Sequence, residues 1–114
     1  MEKFVQQTLL YDFYGELLTE HQRQVYEEAV FDDLSPSEIA LNHGISRQGV
    51  HDLIKRCGRI LEGYEEKLHL VEKFLKIRDS VRRIQALTDP QNSAEAGGRM
   101  RQIREISSNI LEEL

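Results

Sequence analysis

A group of polar side chains between positions 46 and 59 has the chemistry for binding nucleic acid. Its members are Ser46, Arg47, Gln48, His51, Lys55, Arg56 and Arg59. Arg and Gln can form paired hydrogen bonds to the major-groove edges of guanine and adenine, whereas Ser, Lys and Arg can contact phosphates. Asp52 lies among these residues and opposes phosphate binding, although it could accept a hydrogen bond from a cytosine amino group. Because this basic patch is modest in size, the group predicts a nucleic-acid-binding surface of weak affinity and strong salt dependence.

A helix-turn-helix over residues 36–55 would place these side chains on one exposed helix. The motif needs a small residue where its helices cross, which Ala40 provides, and a sharp turn, which Gly44 permits. Its other packing residues are apolar: Ile39, Ile45, Val50, Leu53 and Ile54. Arg47, Gln48 and His51 then fall in the first turns of the second helix, where a recognition helix meets base edges. An ordinary helical hairpin has the same packing pattern and stays open as the alternative.

The segments before this motif also have helical patterns. A first helix is predicted from apolar residues that share one helix face: Leu10, Phe13, Tyr14 and Leu17. Thr19 and Gln22 have the spacing of a capping box and predict the start of a second helix. Ser35 and Glu38, on either side of Pro36, predict the start of the motif's first helix. No segment has the alternating pattern of a strand, so the predicted fold class is all-α.

An apolar heptad repeat runs from the motif into the second half of the chain. It consists of Val50, Ile54, Cys57, Leu61, Tyr64, Leu68, Val71 and Leu75. The repeat predicts a long helix, and its unbroken phase favours continuity or a mild kink over a break near Gly63. Because one chain of this size is too small to cover so long a seam, we expect a homodimer. Its predicted interface is the stripe Ile54, Leu61, Leu68 and Leu75.

The predicted architecture has two parts. Residues 1–62 form a helix-turn-helix bundle, and residues 63–114 form a helical extension that dimerises. The apolar pattern ends at Thr88-Asp89-Pro90, which predicts a loop over 89–98. A final helix is predicted over 99–114, and its inward residues are Ile103, Ile106, Ile110 and Leu114.

Charge is unevenly distributed along the chain, although the net charge of the 114 residues is −5. Residues 1–34 hold eight acids and two cations, whereas residues 35–61 hold four cations and two acids. An acidic protein can still bind a phosphate backbone through one local basic patch. The sequence contains no stretch of about 18 apolar residues, so no membrane span is predicted. The single cysteine rules out an intrachain disulfide. We expect a cytoplasmic protein.

Residue types that support catalysis or metal binding are scattered. The four histidines are too dispersed along the sequence to predict a metal site: His21, His43, His51 and His69. Cys57 occupies a heptad position and is interpreted as a small buried hydrophobic residue, with a reactive thiol beside Lys55 and Arg56 as the alternative. The sequence has no glycine-rich phosphate loop and no catalytic Ser/His/Asp arrangement. We therefore expect neither an enzyme nor a bound cofactor.

Three segments resemble region four of bacterial sigma factors, in which a helix-turn-helix reads promoter DNA. They are Leu18-Thr19-Glu20-His21-Gln22-Arg23-Gln24-Val25, Leu34-Ser35-Pro36-Ser37-Glu38-Ile39-Ala40 and Gly44-Ile45-Ser46-Arg47-Gln48-Gly49-Val50. The whole chain is more similar to the YlxM family of small bacterial helix-turn-helix proteins. That similarity includes Tyr11-Asp12-Phe13-Tyr14, Ser46-Arg47-Gln48, Ile54-Lys55-Arg56 and Glu65-Glu66-Lys67-Leu68-His69-Leu70. Gly49 departs from the family, in which Ala or Thr is commoner.

The resemblance implies two functional hypotheses. In the first, the chain is a regulatory protein that binds DNA through its second motif helix. In the second, the same helices dock a protein or RNA partner, because the family's genes lie beside those for the GTPase of the signal recognition particle. The acidic residues at 1–34 favour the second hypothesis, since they could meet a basic partner. The sequence leaves open whether DNA or RNA is the ligand.

Overall fold

The computed structural model describes residues 2–89 and 96–114, and these residues contain six α-helices and one 3₁₀ turn. The elements are α1 (Lys3–Tyr14), the 3₁₀ turn (Gly15–Leu17), α2 (Glu20–Val30), α3 (Pro36–His43), α4 (Arg47–Leu68), α5 (Leu70–Leu87) and α6 (Ala96–Glu113). No strand occurs in the described ranges, so the predicted all-α class is confirmed. The loop predicted over 89–98 lies largely outside the described residues, and α6 begins before the predicted position.

The first helix is shorter than its apolar stripe suggested. α1 ends at Tyr14 and buries Leu10 and Tyr14, whereas Phe13 and Leu17 are exposed. Leu18 takes the inward position after the 3₁₀ turn instead. Leu17 leaves the predicted face because helical spacing applies only while the helix continues, and α1 ends before it. Phe13 lies within α1 but is exposed at the edge of the predicted face.

The predicted start signals of α2 and α3 are hydrogen-bonded caps. Thr19 Oγ1 accepts from the Gln22 backbone N–H at 3.2 Å, and Gln22 Oε1 accepts from the Thr19 N–H at 2.9 Å. Ser35 Oγ accepts from the Glu38 N–H at 3.2 Å, and Pro36 is the first residue of α3. Each cap satisfies backbone donors that have no partner within their own helix.

A turn of three residues joins α3 to α4. Gly44 has a φ of 64°, the left-handed conformation that glycine adopts without strain. The Ile45 N–H donates to the Ala40 carbonyl at 3.1 Å, which secures the end of α3. Ser46 then caps α4, because its Oγ accepts from the Gly49 N–H at 2.9 Å. Gly44 therefore forms the sharp turn that the sequence predicted at this position.

The motif packs on α2 through a small buried core. Val25, Ile39, Ala40 and Val50 form a buried cluster, so that α2, α3 and α4 each contribute to it. Five partly buried residues pack around the cluster: Ala29, Leu34, Ile45, Leu53 and Ile54. Every apolar residue predicted to pack the motif is in or against this cluster, which joins the two motif helices to a third.

The fourth helix neither breaks at Gly63 nor continues to Leu75. α4 runs from Arg47 to Leu68 and ends at His69, whose φ of 55° is left-handed. The His69 N–H donates to the Glu65 carbonyl at 2.9 Å and closes the last turn. The expected continuity through Gly63 is confirmed. The expected continuation to Leu75 was wrong, because left-handed helix ends usually contain Gly or Asn, and His69 gives no such signal.

The end of α4 divides the predicted dimer seam. Cys57 and Leu61 are fully buried within the chain, and Leu75 belongs to the separate helix α5. The predicted stripe is therefore not carried by one continuous helix, and Leu61 is already buried within the chain. The chain divides into two compact units after His69, seven residues beyond the boundary predicted at residues 62 and 63.

The second unit consists of α5 and α6, which pack against each other. Ile106 is buried, and Ile103 and Ile110 are half-buried, as predicted. Leu114 follows the end of α6 and is exposed, so its predicted inward position was wrong. Lys76 Nζ lies 3.6 Å from Glu113 Oε1, a surface ion pair of the kind that contributes little to stability.

The buried cluster predicts different effects for two similar truncations on α3. Ile39 is fully buried, whereas Leu41 is 84% exposed. Ile39→Ala should lower the free energy of unfolding by about 2–5 kcal/mol, because it removes buried methyl groups and leaves a cavity. Leu41→Ala should change it by less than about 0.5 kcal/mol. Urea unfolding followed by circular dichroism measures both, and equal losses would contradict this packing.

Candidate nucleic-acid interface

The residues predicted to contact nucleic acid all lie at the start and along the exposed side of α4. Ser46 caps the helix and Arg47 begins it. All seven side chains are exposed: Ser46, Arg47, Gln48, His51, Lys55, Arg56 and Arg59. The opposite side of α4 buries Val50, Cys57 and Leu61. Because one side of the helix is occupied by core packing, its polar residues are confined to the other side.

Two open grooves flank this polar side of α4. Toward α1, one groove is lined by Gln48, His51 and the α1 residues Lys3, Gln6 and Gln7. Toward the start of α2, the other is lined by Gly49, Arg56 and the residues Thr19, His21 and Gln22. Three side chains line both grooves and form the ridge between them: Asp52, Lys55 and Arg59. Arg47 lines neither groove and is the first residue of the helix.

The acidic residues of the first 34 positions do not line these grooves. In the described ranges, the acidic groove-lining residues are Asp52 and Glu62, both from α4. The cations Lys55, Arg56 and Arg59 therefore outnumber acids along the ridge and its α2 side. Lys3 adds a further cation on the α1 side. Because the acids of residues 1–34 do not line the grooves, α4 has a local basic surface, although the chain as a whole is acidic.

The polar residues of α4 differ in the hydrogen bonds and ion pairs that they form within the chain. Gln48 Nε2 donates to Asp52 Oδ1 at 3.0 Å. Ser46 Oγ accepts from Gly49, which leaves its own O–H available to donate. Within the part of the chain that the structure describes, five side chains form no ion pair: Arg47, His51, Lys55, Arg56 and Arg59. These five are therefore available to an external anion.

The cap at the start of α4 accounts for the presence of glycine at position 49. A Cβ built on Gly49 would lie 3.1 Å from Ser46 Oγ, closer than ordinary van der Waals contact. α4 is nevertheless helical on both sides of this glycine. The glycine therefore gives the Ser46 cap room without interrupting the helix.

A polar contact joins α2 to the end of α3, directly before the turn. His43 Nε2 contacts Glu28 Oε2, and Asn42 Nδ2 donates to Glu28 Oε1 at 3.3 Å. The hydrogen bond from His43 lowers the pKa of Glu28, and that from Asn42 lowers it further. The His21 ring packs edge-on against His43, with the ring centroids 5.3 Å apart. Two of the histidines that are dispersed in sequence thus meet here, although the described residues contain no group of three metal ligands.

Cys57 lies on the inner side of α4 and is fully buried. Its Sγ lies 3.9 Å from the Gln22 carbonyl oxygen. Burial raises the pKa of the Cys57 thiol, which keeps it protonated and unreactive. The interpretation as a small buried hydrophobic residue is confirmed.

Aromatic contacts hold α1 against α4 at the end distant from Arg47. The Tyr14 hydroxyl donates to Glu65 Oε1 at 2.5 Å, and its ring stacks on Tyr64 at a centroid distance of 5.9 Å. The sequence predicted neither contact, because no local spacing relates residues fifty positions apart. Nor did it predict that α1 places Lys3 at the edge of the groove beside His51.

The lowered pKa of Glu28 predicts a pH-dependent contribution to stability. A carboxyl with a lowered folded-state pKa stabilises the fold above its ordinary pKa, and this contribution is lost as pH falls through the lowered value. Glu28→Gln should therefore destabilise the protein more at pH 6 than at pH 3. Urea unfolding at both pH values measures the difference. A double-mutant cycle with His43→Gln is the control, and a pH-independent effect of Glu28→Gln would contradict the assignment.

Comparisons with known proteins agree in placing the chain among small helix-turn-helix proteins. A model of the family UPF0122, described as "Putative helix-turn-helix protein, YlxM / p13 like", matches residues 1–100. A UPF0122 protein of Desulforamulus reducens is 41% identical over 112 residues, which cover 98% of this chain and 96% of the relative. One from Caldanaerobacter subterraneus subsp. tengcongensis is 47% identical over 83 residues, 73% of this chain and 71% of the relative.

A third relative, a UPF0122 protein of Halalkalibacterium halodurans, is 41% identical over 95 residues, which cover 83% of this chain and 87% of the relative. None of the helices in the described ranges is both long and apolar enough to span a membrane.

Proposed function

The chain belongs to the UPF0122 family of YlxM/p13-like helix-turn-helix proteins, and we propose that it binds double-stranded DNA through α4. The observation that carries this proposal is a set of exposed side chains on one helix of the motif that form no ion pair with any residue in 2–89 or 96–114. They are Arg47, His51, Lys55, Arg56 and Arg59. A helix that presents such a set next to a buried motif core has the form of a recognition helix.

The proposed binding mode follows from positions along α4. Arg47, Gln48 and His51 lie in the first turns, which enter the major groove and reach base edges. Ser46 donates its hydroxyl hydrogen to a phosphate beside the helix start. Further along the helix, Lys55, Arg56 and Arg59 pair with the DNA backbone and fix the position of the helix in the groove.

The distribution of acids supports the same surface. None of the eight acids at 1–34 lines either groove, so a duplex seated on the ridge of α4 does not meet them in the groove linings. Their longer-range repulsion reduces affinity mainly at low salt, because about 150 mM salt screens charges beyond roughly 8 Å. We therefore propose a weak affinity that decreases with salt, and a regulatory role in the cytoplasm.

A second candidate function is docking to a component of the signal recognition particle, its RNA or its GTPase. The acidic character of residues 1–34 favours this candidate, because acids outside the groove linings could meet a basic protein surface. Its link to the particle comes from the family resemblance alone. In this candidate the motif is an interaction scaffold, and loss of the α4 cations leaves docking to a basic protein partner intact.

Removing two cations from α4 should weaken binding to duplex DNA. For the variant carrying Arg47→Ala and Lys55→Ala, we expect about a tenfold or greater loss of affinity, because one base contact and one phosphate contact disappear. The slope of log affinity against log salt should fall by about 1 for the lost phosphate contact. Fluorescence anisotropy with a random duplex, at about 50 mM and about 200 mM salt, measures both quantities.

The matched control carries Lys67→Ala and Lys73→Ala, which make the same change in net charge outside the proposed interface. An equal loss in both variants would show only a non-specific charge effect and contradict the proposal. Titration of signal recognition particle RNA under the same conditions separates the two candidates. Binding to that RNA without binding to the duplex would favour the second candidate.

We also propose that the chain acts as a homodimer, because helix-turn-helix dimers read two half-sites one helical turn apart. The available part of the predicted stripe is narrower than the sequence indicated: Leu61 is buried, whereas Leu68 is 47% exposed. Sedimentation at micromolar concentration should give twice the 13.3 kDa mass of one chain. A monomeric mass in the presence of duplex would contradict the dimer and leave the role of α4 intact.

A further inference from the structure

Gln48 and Asp52 form a hydrogen-bonded pair in the middle of the basic side of α4. Gln48 Nε2 donates to Asp52 Oδ1 at 3.0 Å, and both side chains are exposed. Asp52 also lines the grooves on both sides of the helix, together with Lys55 and Arg59. Its carboxylate therefore lies on the ridge that would meet DNA first.

The carboxylate of Asp52 is not neutralised by the cations beside it. In the described part of the chain, Asp52 forms no ion pair with Lys55, Arg56 or Arg59. One of its oxygens accepts from Gln48, and the other can accept from a ligand. An ionised carboxylate accepts hydrogen bonds but cannot donate them. Facing a base edge, it attracts an amino group and repels a carbonyl oxygen.

The same hydrogen bond orients the Gln48 amide. With one Nε2 hydrogen held by Asp52, the other hydrogen and Oε1 are available to a base. A donor beside an acceptor matches the major-groove edge of adenine, where N7 accepts and the N6 amino group donates. The pair thus presents to DNA one adenine-type pattern and one acceptor for an amino group.

We infer that Gln48 and Asp52 make α4 selective for bases with a major-groove amino group, adenine and cytosine, over the keto bases guanine and thymine. This inference rests on the proposed binding of DNA by α4. Every base pair contains one amino base and one keto base, so the pair distinguishes each base pair from its reverse. The Gln48 amide nitrogen and the Asp52 carboxylate oxygen lie 3.0 Å apart, close to the roughly 3.4 Å step between base pairs, and they therefore address neighbouring base pairs.

Asp52 acts as the specificity-determining residue of the pair. It opposes phosphate binding, and it opposes guanine O6 and thymine O4 for the same electrostatic reason. A neutral Asn at this position would keep the shape but add an amide that donates hydrogen bonds. Asp52→Asn should therefore relax the selectivity while raising affinity for random duplex.

The test is selection of binding sites from a randomised duplex library by the full-length chain, followed by sequencing. The wild-type chain should enrich amino bases on one strand at two neighbouring positions. In Asp52→Asn, the enrichment of amino over keto bases at one of these positions should fall about tenfold, the effect of one good base contact. Gln48→Ala should relax the adjacent position.

Glu62→Gln is the matched control, because it removes the same charge from α4 about 15 Å further along the helix. It should raise affinity for random duplex without changing the selected sequence. An unchanged sequence preference in Asp52→Asn, or a wild-type preference that places one amino base and one keto base on the same strand at these two positions, would overturn the inference while leaving DNA binding by α4 intact. A wild-type chain that retains no duplex would overturn the proposed function, and this inference with it.

Discussion

The structure of the first unit depends on the burial of four side chains where three helices meet. Val25, Ile39, Ala40 and Val50 come from α2, α3 and α4, and their contact sets how the two motif helices cross. Ala40 at this position allows the helices to approach closely. Val50 lies in the first turn of α4, between Gln48 and His51 in sequence, so its burial turns the polar residues outward. The exposed surface of α4 is therefore a geometric consequence of this core.

The distribution of charge is a second constraint on what the first unit can bind. A net charge of −5 disfavours polyanion binding at long range, yet the groove linings beside α4 exclude all acids of the first 34 residues. The cations Lys55, Arg56 and Arg59 thus line the grooves whereas the acids of the first 34 residues do not, and each set suits a partner of opposite charge. The DNA proposal and the docking proposal can therefore be separated experimentally, because they assign function to different residues of the same fold.

The sequence predicted the local elements of this fold well and the longer-range ones poorly. Thr19, Ser35, Gly44 and Ser46 act through neighbours within five residues, so their roles as caps and turn are apparent from spacing alone. The end of α4 depends on the left-handed backbone of His69, a conformation that a histidine in the sequence does not predict. The heptad stripe was misleading because its periodicity shows that Leu61 is buried but not whether the same chain or another copy buries it.

The candidate site shows the same division between local and distant information. Its residue types could be identified on the sequence, because a recognition helix is one continuous segment. The hydrogen bond from Gln48 to Asp52 is also local, since residues four apart on a helix are neighbours. Asp52 illustrates why charge counting alone misjudges such a surface. A carboxylate that reduces affinity for every phosphate can still increase the difference in affinity between two base edges, and specificity is that difference.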